Sequence, residues 1–154
     1  MRPLLSVRTS GFSLVELVTV MVVLGVLAAV AVPHLSGTRQ TFDDLGFYDS
    51  TKAILRYAQK TAIAKRRVVC VAFTATTVTL TFASAAGSAV CDANVTGPGG
   101  ENPYTITAGS ATTFAPIPAN ATFNSLGQPN AGQVITIAGG IAPITVNTDT
   151  GYVQ

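Results

Sequence analysis

Glu16 is the only charged residue in Phe12–Val32, 21 residues that are otherwise largely apolar. A carboxylate in a membrane segment costs on the order of 3 kcal/mol at the bilayer centre and less toward the edge, so such residues mark a partner or a function. Gly11 and Phe12 stand just ahead of it. If the chain is cut between them, the new amine on Phe12 lies about one helical turn from Glu16 and carries the positive charge that the carboxylate needs. Glycine before the cut leaves the backbone open to a protease. The chemistry on offer is therefore an ion pair created by processing, within one chain or with a neighbouring one.

The other reactive side chains offer less. His34 is the only histidine, and no carboxylate pair or nucleophile motif surrounds it in sequence, so it reads as an interfacial residue beside Pro33. Cys70 and Cys91 lack the paired spacing of a zinc site, with no histidine cluster to complete one. No metal and no cofactor are expected, and the chain is expected not to be an enzyme. An oxidising compartment favours a disulfide between the two cysteines; two separate buried thiols are the other reading. Asn94-Val95-Thr96 and Asn120-Ala121-Thr122 match a glycosylation sequon that is common by chance.

The elements that position these residues follow from composition and period. A chain of 154 residues holds one domain, or one domain with an appendage. Only 10% of the residues are charged, against roughly 25% in average soluble proteins. Phe12–Val32 is long enough to cross a bilayer as a helix, and Arg2 and Arg8 before it place Met1 on the cytoplasmic side. A second helical stretch is predicted from about Leu35 to Lys65, with Phe47, Thr51, Ile54, Leu55, Ala58 and Ala62 as its core stripe. Lys52, Arg56 and Lys60 recur on the other side as a solvated face. Pro33 between the stretches predicts a kink or a break.

From Val68 the period changes to that of strands. Val68–Phe73 and the alternating Val78, Leu80 and Phe82 lead, followed by shorter candidates at 104–107, 112–117, 121–124, 133–138 and 143–147. Ala83–Pro103 reads as a long surface loop around Gly97-Pro98-Gly99-Gly100. All nine basic residues fall between Arg2 and Arg67, so residues 68–154 lack the Lys and Arg that neutralise phosphates.

Two readings of the N-terminus compete with processing at Gly11. One is a secretory signal peptide cut after Ala31, which would release a soluble periplasmic protein; its apolar stretch is longer than the usual 7–15 residues or so and holds a carboxylate. The other is an unprocessed anchor, which leaves Glu16 unexplained.

Gly11-Phe12-Ser13-Leu14-Val15-Glu16-Leu17, with the long apolar run and Pro33 behind it, resembles the N-terminal signature of type IV pilins and pseudopilins. The resemblance implies an α+β pilin fold, with a long, kinked transmembrane helix whose C-terminal half packs on an antiparallel β-sheet domain. It divides the chain into a cleaved leader (1–11), a transmembrane and assembly helix (12–33), the second half of that helix (34–67) and a periplasmic β-rich domain (68–154). A prepilin peptidase would cut between Gly11 and Phe12 and methylate Phe12, and Glu16 would pair with the methylated amine of a neighbour during assembly. The implied partners are other pilin or pseudopilin subunits, the peptidase, an inner-membrane assembly platform and membrane lipid. The implied location is the bacterial inner membrane, with the N-terminus cytoplasmic and the C-terminal domain periplasmic, and then the filament.

Leu55–Lys60 through Cys70-Val71 further resembles the GspH/FimT group of minor pilins and pseudopilins, including subunits of mannose-sensitive-haemagglutinin-type pili. Ile144–Val146 with Gly151–Val153 is similar to that group's terminal hairpin. This implies an initiation or tip role in a type IV pilus or a type II secretion pseudopilus. Some members bind DNA through C-terminal arginines, but the tail here is Gly151-Tyr152-Val153-Gln154. A DNA-binding minor pilin is the alternative, with only the basic residues of the helix and its end, Lys65, Arg66 and Arg67 foremost, left to touch nucleic acid.

Overall fold

The computed structural model describes residues 11–154, and of residues 32–38 the backbone alone. In chain order the elements are α1 (Leu14–Lys65), β1 (Val69–Phe73), β2 (Thr77–Phe82), β3 (Ala93–Asn94), β4 (Thr105–Thr107), β5 (Ala121–Phe123), β6 (Gln133–Ile135) and β7 (Ile144–Val146). The expected leader residues 1–10 lie outside the described residues. One helix runs through position 33, so the break allowed there is not present. The side chain of Pro33, and with it the expected kink, lies outside the described residues. Two compact units divide within α1, Met1–Thr38 and Arg39–Gln154.

In the first unit, Leu14–Ala31 forms an 18-residue apolar span with every residue uncovered. At 1.5 Å per residue that is about 27 Å, close to the hydrocarbon thickness of a bilayer. Apolar surface of this extent is costly in water, so length and composition together suit a membrane.

In the second unit, α1 buries the expected stripe. Phe47, Thr51, Ile54, Leu55, Ala58 and Ala62 are all covered, because steps of three and four residues return to one helix face. The helix ends at Lys65 in a Schellman arrangement: the Arg67 amide donates to the Ala62 carbonyl and the Arg66 amide to that of Ile63, both at 3.2 Å. Arg66 takes the left-handed position usually given to glycine, at φ 52°.

β1 and β2 form an antiparallel hairpin in the register Val71↔Leu80. Thr74 closes its turn, its Oγ1 accepting from the Thr77 amide at 2.9 Å. β5 pairs with the other edge of β1, Cys70 opposite Thr122. β3 and β4 pair with successive parts of β2. The second half therefore forms two antiparallel sheets, this one and a separate β6–β7 pair. Alternation places Val69, Val71 and Phe73 of β1, and Val78 and Leu80 of β2, in the core with Phe123, Ile135 and Ile144. Phe114 joins the helix to the sheets, with its ring 4.9 Å from Phe47 and 5.6 Å from Phe73.

Two expectations need correction. Residues 83–103 are not all surface loop: β3 lies within them and Val95 is buried, because Cys91 and Asp92 pull the segment back onto the hairpin. The strand expected over 112–117 shrinks to a single bridge, Phe114↔Ile137, since Pro116 and the following Pro118 have no amide to donate.

Candidate functional site

Gly11, Phe12 and Ser13 precede α1, and Glu16 lies in its first turn. Ser13 followed by Glu16 three residues later has the spacing of a capping box. The positive end of the helix dipole also favours a carboxylate there. The spacing from Ser13 and the helix dipole thus both suit a carboxylate at Glu16. Phe12 is 81% exposed and Leu14 78%.

The two cysteines come together as a disulfide, Cα atoms 6.1 Å apart, tying β1 to the segment after β2. Beside it, Asp92 receives the Ser84 hydroxyl at 2.6 Å and the Ser84 amide at 2.8 Å. Those two bonds, the hydroxyl's first, hold the Asp92 carboxyl below the usual aspartate range. Farther along, Tyr104 packs edge-on against Tyr57 at 5.2 Å, and Tyr57 donates to the Thr96 carbonyl at 2.9 Å. Burial first, then the charge of Glu101, raises the Tyr104 phenol above its ordinary value.

Lys65, Arg66 and Arg67 do not form one uniform basic patch. Lys65 lies over the Phe82 ring at 4.4 Å, Arg66 occupies the left-handed turn, and one terminal nitrogen of Arg67 is buried without a hydrogen bond. The face expected to be merely solvated is also partly engaged. Lys52 sits over the Tyr48 ring, while Nε and Nη2 of Arg56 donate to the Val153 carbonyl at 3.2 and 2.9 Å.

Sequence patterning passes over two structural anchors on α1. Asp44 is buried and accepts from Gln40 at 2.8 Å and from the Thr112 hydroxyl at 2.6 Å. Gln59 donates to the Gly127 and Thr150 carbonyls at 3.1 and 2.8 Å. Gly151, at φ +68°, passes so close to this site that an added Cβ would meet the Gly127 carbonyl oxygen and Gln59. Only the glutamine beside a helix stripe and the glycine in Asp-Thr-Gly hinted at that anchor.

Among the described residues no group of three His, Cys, Asp or Glu is placed to hold a metal. The site that remains is an apolar helix with an acidic first turn, long and apolar enough to cross a membrane, carried by a chain whose second unit is α+β. Residues 7–32 match the family described as the prokaryotic N-terminal methylation motif. The match supports a type IV pilin-like or pseudopilin protein, and the family of that motif is a structural one. It implies assembly with other pilin subunits and, with the apolar helix, suggests membrane anchoring. No curated protein and no solved structure matches the chain.

Proposed function

We propose that the chain is a minor pilin or pseudopilin of the GspH/FimT kind, serving at the initiation or tip of a type IV pilus or a type II secretion pseudopilus. The observation that carries this reading is Glu16 in the first turn of an uncovered apolar helix, inside the matched methylation motif. A prepilin peptidase removes residues 1–11 and methylates Phe12. The processed chain waits in the inner membrane, its β-rich domain periplasmic, until an assembly platform adds it to the filament. Glu16 then pairs with the Phe12 amine of a neighbour. Two charges in a low-dielectric bundle attract strongly but are costly apart, so losing one is worse than losing both.

Mass spectrometry of the mature N-terminus tests the reading. Methyl-Phe12 is expected, and a start at Val32 would instead mean release by signal peptidase. Glu16→Ala is expected to be processed normally yet fail to enter filaments when membrane and sheared filament fractions are compared. Normal entry would remove the pairing role.

A further inference from the structure

Of the two sequons, Asn94-Val95-Thr96 and Asn120-Ala121-Thr122, only the first has a carboxylate two residues before its asparagine. The full run is Asp92-Ala93-Asn94-Val95-Thr96, free of proline, whereas Pro118 stands at the matching place before Asn120. An acid at that place gives a bacterial transferase a charge to pair with a cation of its own. The asparagine supplies the acceptor amide, and the threonine the hydroxyl that the sequon requires.

The fold separates the two sites in the same sense. Asp92, Asn94 and Thr96 are exposed at steps of two, while Val95 is buried, as the alternation of an extended segment requires. Asn94 belongs to β3, two residues at the margin of the larger sheet, and Gly97-Pro98-Gly99-Gly100 follows directly. Among the described residues the Asn94 carboxamide and the Thr96 hydroxyl make no hydrogen bond. The Asn120 side chain, in contrast, accepts from the Phe73 amide at 3.0 Å, and Thr122 lies within β5.

We propose that Asn94 is an N-glycosylation site that receives a saccharide from a lipid diphosphate carrier. The carboxamide nitrogen bonds to the anomeric carbon as the bond from that carbon to the diphosphate oxygen breaks. The electron pair leaves with the lipid diphosphate, and the amide proton passes to a base of the transferase. In the folded unit Val95 is anchored in the core and Ser84 holds Asp92, so transfer precedes docking of this segment. The folded unit then accommodates the product, because Asn94 faces solvent. A bulky polar glycan there would cover the open edge of β3. The site rests on the pilin reading in one respect, that the second unit reaches the periplasmic side.

The test co-expresses the full chain, tagged at its C-terminus, in a bacterium with a periplasmic asparagine-linked oligosaccharyltransferase and its lipid-linked oligosaccharide. Mass spectrometry of the peptides is expected to find a glycan on Asn94 and none on Asn120. Asp92→Asn and Thr96→Val should each lose it, and Asp92→Glu should keep it, a pattern that loss of folding would not reproduce. The proposal is overturned by a glycan on Asn120, by modification of Asn94 that ignores Asp92, or by an unmodified chain whose Cys70 and Cys91 are oxidised. Free thiols on an unmodified chain would instead refute the periplasmic placement, and the site with it.

Discussion

Asp92 illustrates how one side chain couples solution conditions to local order. Ser84 supplies both of its side-chain hydrogen bonds, and the carboxyl is held below its ordinary range. A depressed value means that the folded chain binds the proton more weakly than the unfolded one. The resulting stabilisation is present above the ordinary aspartate value, about 3.9, and is lost as pH falls from there through the depressed value. Denaturation curves from pH 6 to pH 2 should therefore show wild type above Asp92→Asn at pH 6, the gap closing below about pH 4. Curves that stay parallel would remove Asp92 from the acid response. Nothing in the sequence singles out this pair, because a serine eight residues from an aspartate is ordinary loop chemistry until the chain turns back.

Elements were legible where a period repeats and obscure where partners are distant. The stripe from Phe47 to Ala62 could be read because each residue returns to the same helix face. The Asp44 anchor could not, since Thr112 is 68 residues away and neither residue belongs to a repeating pattern. The Arg66 turn was equally hidden, as the usual glycine signal is missing. The disulfide belongs to this scale too, because it closes a loop across the β1–β2 hairpin with a sequence separation of 21. Cross-linking a loop of that length restricts the unfolded chain by about 3 kcal/mol. Replacing both Cys70 and Cys91 with serine should lower the urea midpoint accordingly, without changing the register of the hairpin. Equal midpoints would mean that the β3 segment is held by Asp92 and Val95 alone.

At the scale of the whole molecule, charge and apolar surface occupy different parts of the chain. Every Lys and Arg precedes Val68, and several of those in the second unit are engaged with Tyr48, Phe82 or Val153. Few cations are left to replace counterions on a nucleic acid. The full chain in detergent should therefore show no salt-sensitive binding to duplex DNA in a fluorescence-anisotropy titration. Tight binding lost on changing Lys65, Arg66 and Arg67 would restore the DNA-binding alternative. The Phe12–Glu16 signature was readable without a fold because it depends on position along one helix.

The grip of Arg56 on Val153 bears on crowding. The Val153 carbonyl lies at the outer edge of the last bridged segment, where an unpaired backbone invites another chain to add a strand. The guanidinium occupies that acceptor. At the margin of β5, the Asn130 side chain takes the Thr122 amide at 3.0 Å in the same manner. In crowded surroundings the domain is thus guarded at these two margins against amyloid-like pairing with other chains.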